Sequence, residues 1–256
     1  MQIVAVQLNS VWENKPASHQ KVRELLANES IDENSLIVFP EMFDTGFSMD
    51  PSATGPSAGD SESFLRETAA NYRSTVMAGI VTVVSPTEGG RFKNEAVAMA
   101  PDGSDLVRYR KMQPFTLTGE DKHYGAGDRH QLFDWSGMKV APFICYDLRF
   151  PEVFRPAARD GAELFVVMAC WPKKRSEHWV RLLQARAIEN QAYVVGVNRC
   201  GSEPKFEYDG RSCAFDPHGV SMFEADATEQ VFHVDVDPTV VRDWREEFPA
   251  LRDMRS

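Results

Sequence analysis

The apolar run Val140-Ala-Pro-Phe-Ile144 ends on Cys145 and passes at once into Tyr146-Asp-Leu-Arg-Phe150, Pro151 and Glu152. An apolar run of this length, bounded by turn residues, predicts a buried strand. A proline suited to the first helical turn predicts a helix from 151. Strand, sharp turn and helix in that order point the chain toward α/β arrangements. The same alternation continues elsewhere: strands are expected at 2–8, 35–39, 75–84, 94–100, 106–110, 139–144, 164–168 and 192–197, then at 213–216, 220–224 and 230–236. Helices are expected at 16–27, 61–72, 151–159, 176–189 and 238–247. In the fourth helix, Trp179, Leu182, Leu183, Ala187 and Ile188 fall on one face, with Arg181 and Arg186 elsewhere, and Gly161 closes the helix before it.

Two turns, Ala100-Pro-Asp-Gly103 and Asp216-Pro-His-Gly219, each join two strands after a long strand–helix alternation. The echo hints at two similar halves, each a sheet with helices on one side. Packed sheet to sheet, such halves make a four-layer α-β-β-α sandwich, read here as a single domain over 1–256. The stretch 47–60, rich in Pro, Gly, Ser and Ala, reads as a mobile surface segment.

Chemistry gathers at the strand ends. Glu41 follows Leu36-Ile-Val-Phe-Pro40, Lys111 follows Leu106-Val-Arg-Tyr-Arg110, and Cys145 ends the run described above. The turn after Cys145 offers backbone N–H donors and the positive end of a helix dipole, which favour thiolate. A carboxylate, an ammonium and a thiol at three strand exits are what attack on a carbonyl or nitrile carbon needs. Taken singly, each has a plainer reading. Glu41 could open a solvated turn, Lys111 could sit exposed on an edge strand, and Glu120 lies in the polar stretch Gly119-Glu-Asp-Lys122. Asp147 and Arg149 read best as a buried ion pair bracing the turn. What outweighs the plain readings is the joint occurrence of Glu41, Lys111 and Cys145 in order, each with matching flanks.

Those flanks resemble the signature of the nitrilase or carbon–nitrogen hydrolase superfamily. Pro40-Glu41, Tyr109-Arg110-Lys111 and Cys145-Tyr-Asp-Leu-Arg-Phe-Pro151 match its three elements, and Gly119-Glu120 matches a second acidic position. Trp171-Pro172 and Leu183-Gln-Ala-Arg-Ala-Ile-Glu-Asn190 look most like the omega-amidase branch, which hydrolyses the side-chain amide of 2-oxo acid amides. The resemblance implies the same four-layer fold. It also implies a catalytic set of Glu41, Lys111, Cys145 and Glu120, with Glu120 positioning the others, and a homodimer paired through the helices from 151 and 176. One departure stands where the branch commonly reads His-Leu-Phe: here the residues are Gln113-Pro-Phe115.

Composition agrees. Among 256 residues, 28 Lys and Arg face 38 Asp and Glu, a net charge of −10 that argues against nucleic acid or an anionic membrane as partner. No apolar run is long enough to span a bilayer and the N-terminus reads as a strand, so the expected location is cytoplasmic. The four cysteines (145, 170, 200 and 213) form no Cys-x-x-Cys pair, and the six histidines have no zinc-ligand spacing. No metal and no cofactor are expected. The partner is a small-molecule amide, and the pocket candidates are Tyr146, Phe115 and Trp171, with Phe43 and Phe47 nearby in sequence terms. Arg149, Lys173 or Lys174 are the candidates for a substrate carboxylate. The rival readings are another small-amide or nitrile hydrolase, a papain-like protease using His123 or His178, and a silent scaffold.

Overall fold

The computed structural model describes residues 1–55, 60–83 and 92–254. Val84, at the end of one expected strand, and residues 56–59 of the expected surface segment lie outside the described residues. In the first sheet β1 (Gln2–Gln7), β2 (Leu36–Val38) and β3 (Thr75–Val83) pair in parallel. Next come β4 (Phe92–Met99) and β5 (Asp105–Arg110), each antiparallel to its neighbour. The second sheet repeats this plan. In it β7 (Met138–Ile144), β8 (Leu164–Ala169) and β9 (Tyr193–Asn198) are parallel, and β12 (Cys213–Phe215) and β13 (Ser221–Glu224) follow antiparallel. An antiparallel strand closes each remaining edge: β14 (Gln230–Asp235) on β1, and β6 (Phe133–Trp135) on β7. A small hairpin, β10 (Cys200–Ser202) with β11 (Glu207–Asp209), stands apart.

Strand residues alternate between two buried faces, as parallel sheets covered on both sides require. Val4, Val6, Ile37 and Phe39 pack with Val22 and Leu26 of α1 (Lys15–Leu26) and Phe64, Leu65 and Ala69 of α3 (Ser61–Tyr72). Ile3, Ala5, Leu36, Val38, Ala96 and Tyr109 instead share a core with Phe143, Val167 and Val195 of the second sheet. That core extends to α5 (Pro151–Arg159) and α6 (Ser176–Asn190) on the far side. The layers are therefore helix, sheet, sheet, helix, the sandwich expected. Burying large aliphatic and aromatic side chains on both faces supplies roughly 1.5–3 kcal/mol each. After β14 the chain returns to the second half as α7 (Pro238–Glu247), where Arg242 Nε meets Glu163 Oε1 at 2.7 Å.

Three readings need correction. Phe47 and Ser48 are buried, and Asp50 caps a short helix α2 (Pro51–Thr54) by accepting from Ser52 N at 2.9 Å, so this part of 47–60 is built structure. On α6, Ile188 is 53% exposed and Arg186 only 3%. Arg186 goes inward because its guanidinium lies over Phe154 and donates to Leu148 O at 2.7 Å, tying α6 to the turn that follows Cys145. Third, Asp147 and Arg149 do not pair, as described below. The elements the sequence reading lacked (β6, β10, β11, α2 and α4, Glu120–His123) are three or four residues long, too short for a period to appear.

Candidate active site

The C-terminal ends of β2, β5, β7 and β8 meet at one edge of the sandwich, the edge where open α/β sheets place their ligand crevices. Glu41, Lys111, Glu120 and Cys145 converge there, and all four are buried. Lys111 Nζ lies 2.8 Å from Glu41 Oε1, and 2.8 and 3.0 Å from Glu120 Oε2 and Oε1. Asn94 of β4 spans the same two carboxylates, its Nδ2 donating to Glu41 Oε1 at 2.7 Å and to Glu120 Oε1 at 2.9 Å. Phe115 N donates to Glu120 Oε2 at 2.6 Å, so Glu120 is saturated with donors. Glu41 keeps a freer oxygen: Oε2 accepts from Cys170 N at 2.9 Å, and the carboxylate's charge bears on the Cys145 thiol.

The backbone holds these groups at some cost. Cys145 has φ +45° and Met42, beside Glu41, has φ +43°, left-handed values that non-glycine residues adopt at about 1–2 kcal/mol each. The Glu41 turn rests on β3, where Gly79 N donates to Pro40 O at 3.1 Å and Gly79 O accepts from Phe43 N at 3.2 Å. A Cβ on Gly79 would stand 2.6 Å from the Glu41 Cα, so only glycine admits this approach. Below Cys145, Asp147 Oδ2 accepts from Ile144 N (2.9 Å) and the Tyr109 hydroxyl (2.7 Å), while Oδ1 accepts from Gln113 N (2.8 Å). The expected Asp147–Arg149 pair is thus replaced by a brace between the Cys145 turn and the segment carrying Lys111. Burial pushes Asp147 up to about 7.

Electrostatics inverts one expectation. Burial pushes the Cys145 thiol well above its ordinary range, Glu41 and Glu120 push it further, and Lys111 only pulls back. The chain continues from Cys145 as a tight 3₁₀ turn to Arg149 before α5 begins, which separates the sulfur from the α-helix dipole. Burial and the two carboxylates thus favour the thiol over the thiolate. For Lys111, burial favours the neutral amine, but the charges of Glu120 and Glu41 prevail and hold its pKa well above the usual lysine value.

Of the pocket candidates, Phe115 and Tyr146 touch, with ring centroids 4.8 Å apart, and Phe47 lies 5.3 Å from Lys111 Nζ. Trp171 is buried, its indole N–H donating to Arg175 O at 2.8 Å and its ring 4.8 Å beneath the Arg149 guanidinium. Phe43 faces away, stacked with Phe39 and His19. Arg175 stands 5.4 Å over Phe115. Burial and the neighbouring Arg175 both depress the Arg149 pKa, and among the described residues neither arginine has a carboxylate partner. Lys173 turns away to Glu207 at 3.7 Å. His178 is exposed with Nδ1 3.1 Å from Arg149, and the His123 ring neighbours Tyr124, so the charges facing Cys145 are carboxylates and an ammonium. The sequence reading missed Asn94, the Cys170 N–H and Arg175. A polar Asn94-Glu95 pair opening an otherwise apolar strand was the available signal for the first.

The chain is similar to known proteins over nearly its whole length. The family described as Carbon-nitrogen hydrolase matches residues 2–246. An omega-amidase of Escherichia coli (strain K12) is 36% identical over 99% of this chain and 96% of its own length. A 2-oxoglutaramate amidase of Bacillus subtilis (strain 168) is 32% identical over 94% of this chain and 93% of its own. Among solved structures, a CN-hydrolase superfamily protein of Xanthomonas campestris with an arsenic adduct in its active site superposes with a TM-score of 0.90. It shares 28% identity, over 100% of this chain and 97% of that one.

Proposed function

This chain belongs to the carbon–nitrogen hydrolase family, and from that premise we propose that it is an omega-amidase, releasing ammonia from the side-chain amide of a small 2-oxo acid amide such as 2-oxoglutaramate. The observation that carries the reading is the buried ammonium of Lys111 held between two carboxylates, beside the buried thiol of Cys145.

The thiol's raised pKa makes Glu41 a base acting during attack: it takes the sulfur's proton as the C–S bond forms. The developing oxyanion is met by Lys111 Nζ and the Tyr146 N–H, since the first turn of a helical segment leaves its leading N–H groups without intrahelical acceptors. Glu41 then hands its proton to the departing ammonia and a thioester remains on Cys145. Glu41 next deprotonates water, which attacks the thioester, and the acid leaves with the thiol restored. Glu120 and Asn94 hold Lys111 and Glu41 in register. The cycle consumes water alone.

The substrate side of the proposal rests on Arg149 and Arg175. Two guanidiniums stacked on Trp171 and Phe115, without a carboxylate of their own, suit the carboxylate of a 2-oxo acid. We place the whole chain in one domain and the protein in the cytoplasm; among the described residues no helix is long and apolar enough to cross a membrane. We also propose a homodimer through α5 and α6. Trp179 and Leu183 are consumed by the chain's own core, so Leu182 and Ile188 are the residues left for that face. Incubation with 2-oxoglutaramate is expected to release ammonia, and Arg149→Met to raise KM at least tenfold with kcat little changed. Absence of ammonia at high enzyme concentration overturns the reading. Light scattering showing a fully active monomer would end the dimer.

A further inference from the structure

Beyond the amide pocket, a cavity of about 700 Å³ opens between the Pro172–Arg175 segment and the tip of the β10–β11 hairpin. Its rim carries Lys173, Lys174, Arg175 and Lys205, an unusual concentration in a chain of net charge −10. Two carboxylates also line it, and both are engaged. Glu203 accepts from Arg199 Nη1 and the Tyr208 hydroxyl, each at 2.6 Å, and from Phe47 N at 3.1 Å. Glu207 faces Lys173. Lys174, Arg175 and Lys205 remain without a carboxylate partner among the described residues. Arg175 joins this cavity to the reaction centre, because its guanidinium caps Phe115, which touches Tyr146 next to Cys145.

We propose that this cavity is a second anion subsite, taking a further carboxylate on the acyl side of the substrate, so that monoamides of tricarboxylic acids are within the enzyme's range. The orientation follows from the order of the cations. Arg149 ends the turn that begins at Cys145, Arg175 stands over Phe115 beside Tyr146 of that turn and also lines the cavity, and Lys174 and Lys205 line the cavity alone. An acyl chain with one carboxylate stops at the arginines. One that bears a second carboxylate reaches lysines that are otherwise held apart without counter-charge. Each contact is exposed and modest, and the two together amount to about tenfold in affinity at low salt, falling as salt screens them.

The proposal rests on the amidase reading for its orientation, and binding to Cys145→Ala separates the two because it requires no turnover. The probes are the 1-monoamide of pentane-1,3,5-tricarboxylate, whose middle carboxylate branches from the carbon that corresponds to the oxo carbon of 2-oxoglutaramate and whose far carboxylate reaches beyond it, the same compound with that far carboxylate methylated, and 2-oxoglutaramate, each titrated calorimetrically. The dianion is expected to bind about tenfold more tightly than its methyl ester. Lys174→Glu with Lys205→Glu should erase that advantage while leaving 2-oxoglutaramate affinity within twofold, and Lys205→Gln alone should erase part of it. Equal binding of dianion and ester, or an advantage that survives the double substitution, overturns the subsite. So does an equal weakening of all three probes. Failure of the wild type to release ammonia from 2-oxoglutaramate would refute the amidase reading alone.

Discussion

The turn after β4 and the turn after β12 occupy equivalent places in the two sheets, and each is tied down by the equivalent helix. Arg66 of α3 donates to Gly103 O, and Gln184 of α6 donates to Gly219 O at 2.9 Å. At the opposite edge the likeness stops. The exits of the first sheet bear Glu41 and Lys111, with Asn94 beside them, whereas the second sheet presents Cys145 and Trp171. Helices, turns and strand order are set by apolar periodicity and glycine, which both halves share. The residues at the exits are free of that constraint, so one half has specialised in charge and the other in nucleophile and aromatic wall. Neither sheet holds a working site; it exists where their edges face.

The sharpest way to break this division is to remove the sulfur. Cys145→Ala should lower turnover by several orders of magnitude with the fold intact, and Glu41→Gln should come close to it from the other sheet. Cys170, one strand exit away, hydrogen-bonds Glu41 O through Sγ at 3.2 Å, yet its backbone N–H makes the stronger contact. Cys170→Ala should therefore keep most activity. Initial-rate measurements on the purified variants, with circular dichroism as the folding check, decide it: an active Cys145→Ala would remove the nucleophile from the second sheet.

Next in size is Lys111→Arg. The guanidinium keeps the charge but is larger and fixes its donors in a plane, while the lysine sits fully enclosed between two carboxylates at 2.8 Å. A loss of about a hundredfold in kcat is expected, of the order of removing one oxyanion donor. Near-normal kcat would make Lys111 a structural counter-ion and leave the first sheet with Glu41 alone.

How far these residues were legible follows from the same division. The alternation of strands and helices, both hairpin turns and the three strand-exit residues could be read because each leaves a local pattern. α3, α5 and α7 run over the expected residues. Asn94 left only a polar break in its strand and Arg175 left no mark, because their importance comes from what stands opposite in space. The pull on the thiol's proton was weighed without its neighbours for the same reason. The turn's dipole is written in the sequence, but two carboxylates brought from 104 and 25 residues away along the chain are not (145 − 41 and 145 − 120). Arg186 was set apart from the apolar face of its helix, yet Phe154 and the Leu148 carbonyl draw it inward.

Asp147 tests the seam itself, since it bonds the Cys145 turn on one side and Tyr109 and Gln113 on the other. In Asp147→Asn the amide nitrogen must face one of three donors, costing about 1–3 kcal/mol of stability. A pH signature goes with it. Burial raises this acid in the folded state from the usual carboxylate range to about 7. The protonated form is thus favoured by folding, and its contribution is complete below pH about 4, declines as pH rises, and is gone above pH about 7. Denaturant midpoints of wild type and variant should converge as pH rises from 4 to 7. A constant difference would mean that Asp147 does not titrate there.

The smallest effects come from the paired hairpin glycines, and they measure how equivalent the halves are. Both have left-handed backbones, φ +83° at Gly103 and +80° at Gly219, so alanine at either position costs about 1 kcal/mol from strain. The surroundings differ. A Cβ at 103 meets only Arg66 Cδ at 4.0 Å, whereas one at 219 falls 2.3 Å from Ile188 Cγ1 and 2.7 Å from its Cδ1. Ile188 is half-exposed and can swing outward, which limits the added cost to about 1 kcal/mol rather than that of an overpacked core. Gly219→Ala should therefore be the less stable variant by about that margin in urea melts, with kcat unchanged in both, because the turns lie at the edge away from Cys145. Equal losses would show that the Ile188 contact relaxes freely and that the two turns are energetically interchangeable. A fall in kcat for Gly219→Ala alone would instead show that α6 transmits the disturbance, through Arg186 and Leu148 O, to the turn that holds the sulfur.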